Sequence, residues 1–318
     1  MDGSNIKPLE ERIGRMHLKL RLGIEGPPQR VFGGGLNFLH LENSPYVYQL
    51  LKLGLKISGL YGRGNRNARD LKVVRNQFYF DNLPSSFDGV TLLHLSDLHL
   101  DMDPQASEQM IEAIADLDYD VCVLTGDYRA STSGPIDQLF PMMERLAGVL
   151  TAPVYAVLGN HDSIRMVSVM ESLGIRMLLN ESVCLQRNEQ QLSIAGIDDA
   201  HYYRVDNLEK AAEDIPKGSF SILLSHTPEI YRQATHAGFR VMFCGHTHGG
   251  QICLPGGVPI ILEAHCPRTL GRGSWSYGGM QGYTSRGVGT SILPVRFNCP
   301  PEITLHRLSL IETKSEFS

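Results

Sequence analysis

The chain has 318 residues, 42% of them hydrophobic and 20% charged, which provides enough apolar side chains for a sizeable core and excludes a disordered chain. A net charge of −5 speaks against a general nucleic-acid binder, which presents surplus Lys and Arg to phosphates, so no nucleic-acid binding is expected. The six cysteines form neither a CxxC pair nor a dense cluster, so neither a zinc ribbon nor a small disulfide scaffold is indicated.

Charge is unevenly placed: residues 1–80 carry 13 Lys and Arg against 6 Asp and Glu. Residues 1–43 hold short polar and apolar pieces broken by Gly26-Pro27-Pro28 and Gly33-Gly34-Gly35, and they read as an irregular extension. Ser44-Pro45 then caps a helix whose Val47, Leu50, Leu51, Gly54 and Leu55 follow i, i+3, i+4 spacing. The basic run Gly62–Arg69 comes directly after it. Residues 44–69 therefore fit two descriptions: an anchor on a membrane surface, or a helix docked on the catalytic domain with a solvated basic turn. Met1 to Glu11 lack the apolar core of a secretory signal, and no stretch reaches the roughly 18 apolar residues of a membrane span. The expected location is cytoplasmic, peripheral at the inner membrane if the helix binds lipid.

From residue 90 the pattern sharpens. Val90–Ser96 runs into Asp97-Leu98-His99, Val121–Thr125 into Gly126-Asp127, and Val154–Leu158 into Gly159-Asn160-His161-Asp162. Ser221–Ser225 runs into His226, and Val241–Cys244 into Gly245-His246-Thr247-His248. Consecutive apolar positions over such short lengths predict strands buried on both faces, and helix-like stretches at 105–117 and 136–146 between them predict parallel βαβ units. Ligands in open α/β sheets bind beyond the carboxyl ends of the strands, and all five runs place their metal-binding residue types at that end.

In an extended chain residues i and i+2 point the same way, so Asp97 with His99, and His246 with His248, can chelate one ion together or divide between neighbouring ions. Asp127 offers two oxygens that can bridge cations, and Gly126 before it allows close backbone approach. Asn160 adds a neutral oxygen. Mixed imidazole, carboxylate and amide donors suit Mn, Fe, Zn, Co or Ni rather than an all-oxygen Mg or Ca cage. Two divalent ions outweigh the two carboxylates and a hydroxide by about one positive charge, which favours an anionic substrate such as phosphate. Metal-activated hydroxide would attack, and His161 could protonate the leaving oxygen or stabilise the equatorial oxygens, with Asp162 orienting it. Arg204 and Arg296 are candidates to clamp a second phosphate. His94, inside a strand and not at its end, reads as a core residue.

Taken in order, these five motifs resemble the signature of the calcineurin-like metallophosphoesterases over residues 90–250 and, more weakly, to about 310. The resemblance implies an α/β fold of four layers, two mixed β-sheets in a central sandwich flanked by helices. It places Asp97, His99, Asp127 and His248 on one metal, and Asp127, Asn160, His226 and His246 on the other, with His161 as catalytic histidine and Asp162 its partner. Residues 1–85 become an N-terminal extension and 86–318 the metallophosphoesterase domain. Tyr128-Arg129-Ala130 after Asp127, and Asp162 after His161, depart from the protein-phosphatase pattern. Gly245–Gln251, Pro255, Pro294-x-Arg296 and Pro301-Glu302-Ile303 look most like the bacterial small phosphohydrolases that include UDP-2,3-diacylglucosamine pyrophosphatases of lipid A biosynthesis. The expected activity is cleavage of a phosphodiester or pyrophosphate bond, on a lipid-linked nucleotide or on a soluble small molecule as a phosphodiesterase or nucleotidase. A non-catalytic scaffold docking a protein through its metal face would be expected to have lost a ligand, and none is missing.

Overall fold

The computed structural model describes residues 6–25 and 45–311. In chain order the helices are α1 (Ile6–Ile13), α2 (Arg15–Glu25), α3 (Pro45–Ile57), α4 (Tyr61–Ala68), α5 (Pro104–Ala115), α6 (Phe140–Val149), α7 (Val167–Ser172), α8 (Leu208–Ala212) and α9 (Tyr231–His236). The strands are β1 (Lys72–Phe80), β2 (Thr91–Leu95), β3 (Val121–Leu124), β4 (Val154–Ala156), β5 (Ile175–Met177), β6 (Glu181–Arg187) and β7 (Gln190–Gly196). They continue with β8 (Ser221–Leu224), β9 (Val241–Cys244), β10 (Cys253–Leu254), β11 (Val258–Pro259), β12 (Gly273–Tyr277), β13 (Met280–Thr284) and β14 (Glu302–Leu310).

Among the described residues, two six-stranded mixed sheets form, in the orders β1-β14-β2-β3-β4-β5 and β12-β13-β9-β8-β7-β6. β2 through β5 run parallel, as do β13, β9, β8 and β7. The strands predicted from apolar runs are buried on both faces because alternate side chains enter different layers. Leu92, Val121 and Val123 of the first sheet meet Ile222, Leu224, Val241 and Phe243 of the second, which makes the sandwich interior. Leu93, Leu95, Cys122 and Leu124 point the other way, onto Met110 and Ile114 of α5 and Met143 and Leu146 of α6. On the outer face of the second sheet, Leu223, Met242 and Cys244 pack with Ala211 of α8 and Tyr231 and Ala234 of α9. The layers are therefore helix, sheet, sheet, helix. α5 starts where Asp103 accepts from the Ala106 amide and Pro104 fills the first turn.

Two findings bear on the N-terminal part. The domain start read from the sequence falls at residue 86, yet β1, before it, pairs in parallel with β14 over nine positions and buries Phe78 and Phe80 in the sandwich. Residues 6–25, read as irregular, form α1 and α2, whose Leu9, Ile13 and Leu18 enter the core beneath the first sheet. Tertiary bonds hold them: Arg12 pairs with Glu171 and Glu181. The remainder of that expectation, residues 26–43, lies outside the described residues. α3 matches the predicted helix, and the basic run after it is helical as α4. No helix among the described residues is long and apolar enough to cross a membrane.

Candidate metal centre

All five predicted strand runs end on one side of the sandwich, three in the first sheet and two in the second. The centre therefore forms where two sheets meet and not along the edge of one. The chain leaves β2, β3 and β9 sharply. Asp97, His99, Asp127, His246 and His248 have φ of 50°, 41°, 58°, 71° and 49°, left-handed conformations that non-glycine residues adopt only under external constraint. That constraint is visible. The His246 amide, from the second sheet, donates to both carboxylate oxygens of Asp97 in the first, at 3.0 and 3.1 Å, and the Gly289 amide donates to the Asp97 carbonyl at 2.7 Å. A β-carbon on Gly126 would sit 2.6 Å from the Gly159 nitrogen, so the Gly126-Asp127 and Gly159-Asn160 turns can close on each other only without side chains there.

The predicted ligands converge in two groups, Asp97 with His99 and His248, and Asp127 with His226 and His246, all buried. Asn160 joins the second, its Oδ1 lying 2.8 Å from His226 Nε2 and 2.9 Å from His246 Nδ1. Asp127 stands between the groups, with Oδ2 3.3 Å from His226 Nε2 and 3.9 Å from His99 Nε2. Backbone carbonyls set the ring tautomers. His99 Nδ1 donates to Arg129 O at 2.8 Å and His226 Nδ1 to Thr125 O at 2.7 Å, which turns each Nε2 lone pair inward.

Inward-facing lone pairs of imidazole, amide and carboxylate repel one another unless a cation lies among them, so this donor set fits divalent metal. The charge balance says the same. Burial opposes protonation of His226, yet Asp127 and Asp97 raise its pKa to about 10. Burial, with Asp127 nearby, pushes Asp97 up to about 7. Positive charge is what the pocket lacks.

His161 sits at the edge of both groups, its Nε2 3.9 Å from Asp127 Oδ2 and its ring perpendicular to that of His99. Its amide donates to Asp127 Oδ1 at 2.9 Å, and the buried guanidinium of Arg129 bonds its carbonyl, which fixes its backbone, while the ring itself hydrogen-bonds the Ala130 backbone. Burial lowers its pKa, against the pull of Asp127.

Two expected roles are corrected. The sequence reading makes Asp162 the partner of His161, but its carboxylate accepts the amides of Asp127 at 2.7 Å, Gly159 at 2.8 Å and Tyr128 at 2.9 Å. It ties the two ligand-bearing turns together. Arg296, expected at a substrate phosphate, is fully buried and donates to the carbonyls of Arg286, Gly287 and Gly289 at 2.7, 3.1 and 2.6 Å. It braces the loop behind His248, whose Nδ1 is 3.4 Å from its Nη2. Arg204 is exposed, with Nε 3.3 Å from the His201 carbonyl. His94 is a core residue as read, bonded to Thr125 Oγ1 at 2.8 Å and near His306.

Sequence reasoning missed the support from α2. Arg21, fully buried, donates to the Asp162 carbonyl, lies 3.3 Å from Asp198 and stacks 3.5 Å over Tyr203. Glu25 accepts from Ser163 Oγ and the Ile164 amide, both at 2.6 Å. His201 packs its ring 4.2 Å from that of His246 and bonds Glu229 at 3.0 Å. No motif marks these residues, since each acts through contacts distant in sequence.

Comparison with known proteins agrees with this geometry. Residues 90–250 match the family model described as calcineurin-like phosphoesterase. The uncharacterized metallophosphoesterase YkoQ of Bacillus subtilis (strain 168) is 28% identical over 77% of this chain and 93% of its own length. The uncharacterized metallophosphoesterase YkuE of the same organism is 30% identical over 71% of this chain and 81% of its own. Phosphodiesterase YaeI of Escherichia coli (strain K12) is 28% identical over 59% of this chain and 70% of its own. With the family model covering half of it, the chain belongs to the calcineurin-like phosphoesterases, metal-dependent phosphoester hydrolases with a dinuclear divalent metal centre.

Proposed function

We propose that the chain hydrolyses a phosphodiester or pyrophosphate bond at the two side-chain groups that meet at Asp127. The observation that carries this reading is the pair of buried groups sharing one carboxylate. Asp97, His99 and His248 would hold one divalent ion, Asn160, His226 and His246 the other, with Asp127 common to both. Two such ions supply Lewis acidity toward water and toward phosphoryl oxygens. His161, held by its own backbone at the rim, donates a proton to the leaving oxygen. Asp162 keeps the Asp127 and Asn160 turns in register, and Arg296 does the same for His248.

The test is turnover of bis(p-nitrophenyl) phosphate by metal-stripped protein reloaded with Mn, Zn or Mg, beside Asp127→Asn. Metal-dependent turnover abolished in a folded Asp127→Asn protein is the expected result. Absence of turnover with every metal sinks the reading.

For the substrate, a lipid-linked nucleotide such as UDP-2,3-diacylglucosamine has one specific observation in its favour. α3 exposes Leu50, Leu51, Leu53 and Ile57 beside the basic helix α4, as a membrane-surface element does. Manganese-dependent release of UMP from that lipid is the expected result, and activity confined to soluble diesters or nucleotides would assign the soluble alternative.

A further inference from the structure

A second exposed apolar element lies elsewhere in the chain. The hairpin of β10 and β11, with the two residues after it, exposes Leu254, Val258, Ile260 and Ile261, the first at 53% and the last at 68%. From Gln251 to Leu262 there is no charged residue. Isolated exposed aliphatics are ordinary, but four within eight residues on an uncharged loop make a patch that calls for a covering.

This hairpin and α4 are built on opposite sides of one short segment, residues 294–298. On one side Asn65 and Asn67 donate to the carbonyls of Pro294 and Arg296, each at 3.0 Å, and the Arg296 amide donates to Gly64 O at 2.9 Å. On the other, the Cys253 amide donates to Phe297 O at 2.9 Å and Asn298 Nδ2 to Cys253 O at 2.8 Å. The side chain of Arg296, from the same segment, braces the loop of His248. Hairpin, segment and α4 are thus tied together, and Arg296 links them to His248 of the metal centre.

Charge selects the covering. Residues 49–69 contain Lys52, Lys56, Arg63, Arg66 and Arg69 and no acid, in a chain whose net charge is −5. A second copy meeting this face with its own would set cation against cation. Arg69 is already paired with Asp103, but aliphatic side chains beside Lys56, Arg63 and Arg66 fit an anionic lipid surface, the former entering the acyl boundary and the latter staying among the headgroups.

We propose that residues 253–261 insert beside α3 into the interfacial layer of an anionic membrane and so set the metal centre at headgroup level, where it meets the phosphoester of an amphiphile. The catalytic half of this inference rests on the hydrolase reading above, while the binding half stands independently of it.

The experiment is sedimentation of the full chain with vesicles of phosphatidylcholine alone or mixed with phosphatidylglycerol. It compares wild type, the triple variant Leu254→Ser/Ile260→Ser/Ile261→Ser, and Lys56→Glu/Arg63→Glu. Wild type should pellet with the mixed vesicles. The triple variant should bind about 100-fold more weakly, each half-exposed aliphatic side chain lost from the layer counting for roughly a factor of five. The charge variant should lose the preference for phosphatidylglycerol while keeping its fold by circular dichroism. Turnover of bis(p-nitrophenyl) phosphate in solution should be unchanged in both variants. Equal pelleting of wild type and triple variant, or no pelleting of wild type, overturns the proposal, as does concentration-dependent dimerisation that the triple variant abolishes. Vesicle binding without any turnover would instead strike the hydrolase reading and leave the surface assignment intact.

Discussion

Replacing Asp162 with Asn separates two roles that the carboxylate can have. Its Oδ2 accepts from the Asp127 and Gly159 amides and its Oδ1 from the Tyr128 amide. An asparagine offers one oxygen and one NH2 group, so in either orientation at least one backbone N–H is left facing a donor. Hydrogen bonds to a charged acceptor contribute about 1.5–3 kcal/mol each, and the bonds that survive become neutral and weaker. Against that stands relief from burying the charge, which, with Asp127 close by, pushes the Asp162 carboxyl up to about 6. The net loss is about 2–3 kcal/mol, or roughly 3–5 °C in thermal midpoint for a chain of this size.

Because the two turns that Asp162 joins carry Asp127 and Asn160, the same change should weaken metal affinity about 10–100-fold, as loss of a support behind a ligand does. At saturating metal, kcat should stay within a few-fold of wild type, because Asp127 and Arg129 hold the His161 backbone and the Ala130 backbone holds its ring. The assay is kcat on bis(p-nitrophenyl) phosphate against free metal concentration, beside thermal unfolding and His161→Gln, which should lose about 100-fold or more in kcat. If Asp162→Asn also loses about 100-fold in kcat at saturating metal, with metal affinity unchanged, Asp162 orients His161 and the backbone-clamp argument is wrong.

Arg21→Met leaves Asp198 buried with only His17 and a neighbouring amide, and removing one partner of a buried pair costs about 3–5 kcal/mol. The loss should appear as faster amide exchange in residues 6–25 and in residues 160–166, which α2 contacts; unchanged exchange in both would refute the support assigned to Arg21. Asp198, with burial opposing but Arg21 and His17 prevailing, is held below its ordinary value of 3.8, so its stabilisation is present above the unfolded value and lost as pH falls through the folded one. The thermal midpoint of Asp198→Asn should therefore lie below wild type near neutrality and converge with it as pH drops below about 4, whereas a gap that persists in acid would contradict this sign. Gly159→Ala puts a β-carbon 2.7 Å from the Asp127 nitrogen and against its carboxylate, and calorimetric titration should show loss of metal binding; wild-type affinity would mean that the two turns can separate.

What could be read from the sequence, and what could not, follows from the range of the forces involved. β2, β3, β8 and β9 are legible because two covered faces demand apolar residues at most positions, and each run stops where the chain turns into the centre. α1 and α2 are not, since their stripe is two short pairs, Leu9 with Ile13 and Leu18 with Leu22, broken at Gly14 with its φ of 94°. Their order comes from partners far along the chain, such as Glu181 for Arg12 and Asp198 for Arg21.

Roles were harder to read than positions. The donor types at the five strand ends identify the ligand candidates, yet adjacency of Asp162 to His161 misleads, because consecutive side chains need not share a direction. Sequence shows in Arg296 a cation that suits a phosphate and nothing of the carbonyls that enclose it, which only a loop folded around the guanidinium supplies. Five left-handed ligand-bearing residues complete the point. Their strain is invisible in composition and is balanced by bonds between two sheets, so the same contacts that join the sandwich at this end also aim the ligands.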